Sequence, residues 1–304
     1  MTTSAANVIH LPQPKYVVAV ESSDNVFRDR FGHLTTEQWR DLLVRSISHP
    51  VIEGIQFPSY PDAEFQLQIH GECGADALRD PYHLYCFIRS KPFLREKLGN
   101  GAVFLDFGCG WGRISRMFMR DFDLDRMYGF EPQRGTCFMA RTLNPYMCFL
   151  NGGYTPDGAL PADRFDLVVS WSVFSHLSQA SATGWLAELA RVIRPGGYCL
   201  ASTWGERFLN ALLQEQRKLK QGIPVHWYHA ECVEAAGNVL THRRRYRSGR
   251  FTWFGANISE LYGQASFLPA EAIRRILSEN DLPLELIAFD SETLTQDVFI
   301  LRRC

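Results

Sequence analysis

Residues 103–113 read Val-Phe-Leu-Asp-Phe-Gly-Cys-Gly-Trp-Gly-Arg, and the order of apolar, acidic and glycine positions in this stretch decides the fold. Val103, Phe104 and Leu105 form an apolar run suited to a buried parallel strand. Asp106 sets a carboxylate at the strand end. Gly108, Gly110 and Gly112 let the backbone bend and approach a ligand with no Cβ in the way. Ile114 to Arg120 is expected to be a helix whose N-terminus faces the same spot. A glycine-rich turn from strand to helix is where nucleotide-like ligands sit in open α/β sheets. Several cofactor classes share such a turn, so the glycines alone do not choose among them.

Charge narrows the choice. A dinucleotide site uses the positive end of a helix to hold a pyrophosphate, and Asp106 would repel that anion unless turned away. S-adenosyl-L-methionine carries an ammonium and a sulfonium and no phosphate, so a nearby carboxylate suits it. The run Leu105-Asp106-Phe107-Gly108-Cys109-Gly110-Trp111-Gly112-Arg113 resembles motif I of class I S-adenosyl-L-methionine-dependent methyltransferases.

Strands and helices alternate after this loop. Arg126–Phe130, Met147–Leu150, Phe165–Ser170 and Tyr198–Ser202 read as strands. Gln133–Leu143 is helical in composition, and Ala182–Arg194 presents Trp185, Leu189, Val192 and Ile193 on one helical face. Pro195-Gly196-Gly197 is expected to stop that helix. Alternation of this kind means an α/β fold with a mainly parallel sheet. At the end of the chain Leu284–Phe289 and Val298–Leu301 are separated by Asp290 to Asp297, only eight residues. A parallel crossover needs about a dozen or more, so this last pair must run antiparallel. The family resemblance implies the same thing: a Rossmann-like, mainly parallel seven-stranded sheet closed by an antiparallel C-terminal hairpin. A dinucleotide-binding sheet lacks that feature.

The expected organisation is an N-terminal extension or lid over 1–90, then a methyltransferase domain over 91–304. Thr36–Ile47 is an amphipathic stretch, and Gly71–Tyr85 turns helical toward its end. Within the domain, 222–268 is an insertion dense in aromatics, His and Arg, followed by a helix over Ala270–Glu279. Both extra segments are expected to cover the carboxyl edge of the sheet and shape an acceptor pocket.

Site residues follow in chain order. Glu131 ends the second strand, where an acid accepts hydrogen bonds from both ribose hydroxyls of a nucleoside; the alternative is a cap for the helix that follows. The resemblance implies that Asp106, Gly108, Cys109, Gly110, Trp111, Glu131, Pro132, Asn151, Gly152 and Ser172 line the cofactor site. It places Asn151 near the adenine amino group, although family members more often carry Asp there and the residue is also a turn-former. Trp111 packs either on the cofactor or in the core. Ser170-Trp171-Ser172-Val173-Phe174-Ser175-His176-Leu177 follows the fourth strand and, in the family, faces the reactive methyl group. This text, with Trp185-Leu186-Ala187-Glu188-Leu189 and Arg194-Pro195-Gly196-Gly197, resembles bacterial small-molecule methyltransferases. His176 is the candidate general base, against a second reading in which it orders its loop through the backbone. His226, Tyr228, His229 and Arg244 are the candidate substrate residues; the run Thr241–Arg247 either grips an acidic group of an acceptor or is a solvated face.

The bulk numbers set limits. The chain has 304 residues, and Lys+Arg 32 against Asp+Glu 33 leaves a net charge of −1, which argues against broad electrostatic binding of nucleic acid. The runs after the fourth strand that mark amino- or Cys-dependent base methylation are missing. The eight Cys show no CxxC spacing and no metal-finger pattern, and no cluster of acids of the kind that holds a divalent metal in catechol-type enzymes stands out, so no metal is expected. Met1 to Pro14 lacks the order of a signal peptide, and no stretch has the length of a membrane span. A reducing cytoplasm is the natural compartment. The resemblance implies methyl transfer from S-adenosyl-L-methionine, with S-adenosyl-L-homocysteine as product, to a small-molecule acceptor: by O-methylation of a sugar, a glycan precursor or a secondary metabolite. A nicotinamide-dependent oxidoreductase and a non-catalytic cofactor-binding protein are the alternatives. The sequence leaves the oligomeric state open, a dimer included.

Overall fold

The computed structural model describes residues 25–99, 101–255 and 259–304. The reading of Met1 to Pro14, and the first part of the expected N-terminal extension, fall outside the described residues. In chain order the elements are α1 (Val26–Phe31), α2 (Thr36–Ser46), the short strands β1 (Val51–Ile52) and β2 (Ile55–Gln56), α3 (Ala63–His70), α4 (Arg79–Ser90), α5 (Pro92–Arg95) and β3 (Phe104–Phe107). Then come β4 (Met127–Phe130), α6 (Arg134–Leu143), β5 (Cys148–Leu150), β6 (Phe165–Ser170), α7 (Gln179–Val192), β7 (Ile193–Thr203) and α8 (Glu206–Lys220). The chain continues through α9 (Trp227–Ala236), α10 (Val239–Arg247), β8 (Thr252–Phe254), β9 (Ala265–Phe267), α11 (Ala270–Glu279), β10 (Leu284–Asp290) and β11 (Asp297–Arg303).

Seven strands form the central sheet in the order β10-β11-β7-β6-β3-β4-β5. Strands β3 to β7 pair parallel. β11 lies antiparallel between β10 and β7, as the short connection requires. Asp290 pins that connection by accepting from the amides of Glu292 and Thr293 and the hydroxyl of Thr293. An antiparallel strand inserted at this edge is the class I methyltransferase arrangement anticipated from the sequence.

Alternation along the strands divides the core in two. Phe104, Leu167, Val169, Leu200, Val298 and Ile300 face one layer. Leu105, Val168, Cys199, Ala201, Phe299 and Leu301 face the other, which is covered by α7 and α11. Because side chains in a strand point to opposite faces at a period of two, a run such as Phe165–Ser170 supplies both layers at once. α7 begins three residues earlier than the sequence reading had it, capped by the Ser178 hydroxyl. The Pro195-Gly196-Gly197 segment lies within β7 as an irregularity in its pairing with β6, between Ile193 and Tyr198. The helix therefore stops because Ile193 joins the sheet, before the proline is reached.

The N-terminal segment departs from expectation in part. Residues 1–90 were expected to lie over the carboxyl edge; of the described part, Ala77 and Asp80 do meet the motif loop and the β10–β11 connection, accepting from Arg113 Nη1 at 3.1 Å and Thr295 Oγ1 at 3.3 Å, whereas Phe27, Phe31, Trp39, Phe57 and Tyr85 are buried in the same cluster as Phe104, Leu167 and Ile300. This segment is the second core layer. α2 starts with a capping box between Thr35 and Gln38, and its Trp39 Nε1 donates to the Met117 carbonyl at 2.9 Å. Asn25 Nδ2 donates to the carbonyls of Met119 and Phe122. Carbonyls that an α-helix would use internally are thus taken by side chains from the N-terminal layer. The expected helix over Ile114–Arg120 is accordingly reduced to a 3-10 turn, Ser115–Phe118.

Trp39 has no solvent exposure and packs against Phe27, Phe31 and Phe57. Trp39→Ala should lower the unfolding free energy of the whole domain by about 3–5 kcal/mol in urea titration; a change confined to a minor early transition would mean that 25–90 is a separable cover.

Candidate functional site

The first loop is built from backbone. Amides of Gly108 and Cys109 both donate to the Phe130 carbonyl, at 2.8 and 3.0 Å, which ties the end of β3 to the end of β4. Gly108, Gly110 and Gly112 all have positive φ, +73°, +54° and +85°. A Cβ on Gly108 would meet Val173 Cγ2 at 2.3 Å and one on Gly112 would meet Asn144 Nδ2 at 2.9 Å, whereas Gly110 has no atom within 4 Å of that position. Gly108 and Gly112 are therefore glycines for packing. Gly110 leaves its backbone open to a ligand at the carboxyl edge.

Two carboxylates brace this loop from different sides. Asp106 is 1 % exposed, and its Oδ2 accepts from the Ser115 amide at 3.0 Å and the Ser115 hydroxyl at 2.5 Å. Burial pushes its carboxyl up to about 7, against the opposing pull of those bonds and of Arg113. The sequence reading set this charge opposite a cationic ligand; in the structure it lies beneath the loop and closes it. Glu131 is half-buried at the edge. Its Oε2 accepts from the Gly110 amide at 3.1 Å and its Oε1 from the Gln133 amide at 2.9 Å. Burial raises its carboxyl above the usual range despite both bonds. Each carboxylate oxygen has a second lone pair, so Glu131 can hold the amide of Gln133, the residue before α6, and still accept from a ligand.

Asn151 is exposed after β5, and its Nδ2 donates to the carbonyls of Glu131 at 2.7 Å and Pro132 at 3.1 Å. These bonds shape the Glu131-Pro132 turn and leave Oδ1 as the atom for a ligand. Gly152 approaches Phe130, Ala159 and Asp157 too closely for any side chain. The side chains of Cys109 and Trp111 do not reach the edge. Cys109 packs with Cys137, Ala140 and Phe149. Trp111 is fully buried, with the Arg116 guanidinium 4.5 Å from its ring centre and Tyr60 at 5.6 Å. The core reading of Trp111 is the one the packing supports.

The loop after β6 is strained. Ser172 holds φ +61° without being glycine, a conformation that the surroundings must enforce. Its amide donates to Ser202 Oγ at 2.7 Å, and its hydroxyl accepts from Gln296 Nε2 at 3.0 Å. Ser202 Oγ in turn donates to Gln296 Oε1 at 2.8 Å. Gln296, in the connection just before β11, thus joins the site. No local pattern announced it.

His176 Nδ1 lies 3.2 Å from the Gly263 carbonyl. Desolvation lowers its pKa, outweighing the favourable carbonyls of Gly263 and Gln264, so the ring is neutral near pH 7. The neighbouring backbone is zipped onto the insertion as well: Ser266 N to Ser175 O at 2.7 Å, Gly263 N to His176 O at 2.8 Å and Ser178 N to Leu261 O at 2.8 Å. Tyr154, which follows Asn151-Gly152-Gly153, stacks on Tyr262 of the same segment at 5.9 Å.

Three of the four substrate candidates sit together at the start of α9, with the ring of His229 5.7 Å from that of His226 and 6.3 Å from that of Tyr228, and Arg244 lies on α10. Tyr228 donates to the Gln264 carbonyl at 2.9 Å and stacks with Phe208. It belongs to an apolar cluster that joins α8 to the insertion and includes Phe208, Leu212, Cys232, Phe254 and Phe267. His229 lies edge-on to Phe208 at 5.6 Å, and His226 and Arg244 are exposed. Neighbours of Arg244 are engaged within the protein, Arg243 with Asn210 and Arg247 with Glu206. Among the described residues there is no group of three or more His, Cys, Asp and Glu fit to hold a metal.

A family model described as a methyltransferase domain matches residues 81–285. No curated protein matches the chain. Solved structures with a similar fold include an S-adenosylmethionine-dependent methyltransferase from Leishmania major, 14% identical, covering 88% of this chain and 81% of that one, with a TM-score of 0.49. Magnesium protoporphyrin IX methyltransferase from Synechocystis, solved with bound S-adenosylhomocysteine, is also 14% identical, with 92% and 99% covered and a TM-score of 0.47. A methyltransferase from Methanosarcina mazei is 16% identical, with 70% and 97% covered and a TM-score of 0.46.

The buried Asp106 has a consequence in pH. Folded chain keeps its proton up to about pH 7, while the unfolded chain releases it near pH 4. Relative to Asp106→Asn, the wild-type unfolding free energy should fall as pH rises from about 4 to about 7 and level off above. Urea titrations of both proteins across that range check the slope.

Proposed function

Because the chain belongs to the methyltransferase-domain family, in its class I, S-adenosyl-L-methionine-dependent form, we propose that it moves a methyl group from that donor to an oxygen of a small-molecule acceptor, a sugar, glycan precursor or secondary metabolite. The observation that carries the site assignment is the pairing of Gly110, open at the carboxyl edge, with Glu131, which holds the same amide and keeps acceptor capacity. Glu131 receives the ribose hydroxyls and Gly110 lets the amino-acid end of the donor pass close to the backbone. Asn151 Oδ1 accepts from the adenine amino group. Pro132 and Gly152 shape the walls between them.

Donor chemistry itself is a displacement at the sulfonium methyl with a neutral leaving group. What the chain contributes is alignment and exclusion of water. Ser172, held by Ser202 and Gln296, presents its loop to the reacting methyl. His176 keeps that loop against the insertion through Gly263, and we assign it a positioning role in preference to that of general base, since its ring is turned to backbone carbonyls. Residues 91–304 form the methyltransferase domain, with 222–268 as its acceptor-shaping insertion. The cytoplasm fits the eight unpaired cysteines. No described helix is long and apolar enough to cross a membrane.

Incubation of the protein with labelled donor and a metabolite extract, followed by mass spectrometry, should reveal a methylated small molecule and S-adenosylhomocysteine; label found only in RNA, DNA or protein would refute the acceptor class. Glu131→Gln should weaken calorimetric S-adenosylhomocysteine binding by about 1–3 kcal/mol, and Gly110→Val should abolish it. With the identified acceptor, His176→Gln should keep most of the turnover that His176→Ala loses, a pattern opposite to that of a proton-accepting imidazole.

A further inference from the structure

Helix α8 passes into the insertion through a stretch unlike the rest of the surface. From Gln216 to Ala230 the chain has no Asp or Glu and carries three cations, Arg217, Lys218 and Lys220. All three are exposed, and so are Leu219, Ile223 and Trp227, the last at 57 %. Among the described residues ten large apolar side chains are exposed, and three of them fall between positions 219 and 227. Single exposed apolar residues need no explanation, but a concentration of them marks a contact surface. The backbone sets them out. α8 ends at Gly222, with φ +74°; its amide donates to the Leu219 carbonyl, and that of Ile223 to the Lys218 carbonyl, both at 3.0 Å. In a Schellman ending of this kind the residue after the glycine is fixed beside the last turn. Ile223 is therefore held next to Lys218 and Leu219, with 46 % of its surface in water. Trp227 opens α9, its ring 5.5 Å from that of His226. Burial lowers the pKa of His229 and the charge of Lys218 adds to the fall, against Glu215, which puts the end of α8 and the first turn of α9 within electrostatic reach of each other. Lys218 pairs with Glu215 at 2.9 Å, whereas Arg217 and Lys220 enter no ion pair among the described residues. The next acid along the chain, Glu231, is engaged by Gln264 Nε2 at 2.7 Å.

We propose that Leu219, Ile223 and Trp227, together with Arg217, Lys218 and Lys220, form a docking surface for the headgroup layer of an anionic lipid bilayer. An indole has an apolar body and a polar N–H, and settles at the depth of the headgroups. Leucine and isoleucine beside it reach the acyl boundary. Cations interleaved with them are drawn to the negative surface, and their long stems lie along the apolar contact. Other occupants match only half of this surface. A single-stranded nucleic acid answers the cations and stacks on Trp227, but it has nothing for Leu219 and Ile223. A second copy meeting across a two-fold axis sets three cations against three of the same sign. A bilayer satisfies both halves at once. The docking is independent of the methyl-transfer reading and holds whatever reaction the chain performs.

The test mixes the full chain with vesicles of phosphatidylcholine that carry about a third phosphatidylglycerol and some brominated acyl chains. Sedimentation should carry the protein down with these vesicles, and far less with phosphatidylcholine alone or in high salt. The bromine should quench part of the tryptophan emission of the wild type, and Trp227→Phe should lose that quenching. Arg217→Gln with Lys220→Gln should weaken vesicle binding about tenfold or more. Ile223→Ser with Trp227→Ser should weaken it about as much. Thermal unfolding should stay unchanged in both double variants, because the replaced side chains are exposed. No sedimentation with anionic vesicles, binding indifferent to both pairs of substitutions, or sedimentation without quenching of Trp227 would overturn the proposal. So would tighter binding to polyuridylate that needs Arg217 and Lys220 but not Ile223 and Trp227, or a dimer in light scattering that Trp227→Ser dissolves.

Discussion

Asp106 accepts two hydrogen bonds from Ser115 beneath the first loop, and the whole carboxyl edge takes its shape from that closure. A chain leaving β3 has to reverse within a few residues and pack a buried stretch, 111–120, under the N-terminal helices. Free carboxylate in that position would be costly to bury. Two donors from one serine, and a proton retained up to about pH 7, reduce that cost while fixing the path of the backbone. Glu131 then braces the outside of the loop through the Gly110 amide. One acid holds the loop from within, and the other holds it at the surface.

Rigidity is distributed unevenly around this edge. On one side, the motif loop is backed by Arg116, which is buried between the rings of Tyr60 and Trp111 at 4.2 and 4.5 Å and also holds Asn144 and Gly112. Aromatic faces and carbonyls stabilise the guanidinium there. On the other side, the loop after β6 depends on the insertion for its order, through the backbone bonds of Ser175, His176 and Ser178. Helices α8 to α10 and strands β8 and β9 carry a small apolar cluster of their own. A motif loop fixed to the central sheet and a neighbouring loop fixed to a segment with a cluster of its own allow the second to vary without disturbing the first.

Local sequence was enough wherever one periodicity ruled a segment. β6 over Phe165–Ser170 and α11 over Ala270–Glu279 were legible to the residue, because a β-branched run and a strong apolar stripe leave no competing structure. The antiparallel closure was legible from connection length alone. What failed depended on partners far away in the chain. The helix expected after the glycines is short because Trp39 and Asn25 claim its carbonyls, from 78 and more residues away. The N-terminal helices announced their amphipathic character but not which surface they cover. Asp106, Cys109 and Trp111 were read from the sequence as lining a cofactor site, yet the direction of each side chain is set by Ser115, by α6 and by Arg116. Ser172 was named from the loop it occupies; its strained backbone and its bond to Gln296 emerge only once β11 is in register.

A crystal structure with S-adenosylhomocysteine bound tests the account most directly. The account predicts the ribose hydroxyls on Glu131, the amino-acid end passing over the Gly110 backbone, and the Asp106–Ser115 bonds intact beneath. Ligand seated elsewhere, or Asp106 released from Ser115 to meet the ligand's ammonium, would contradict it.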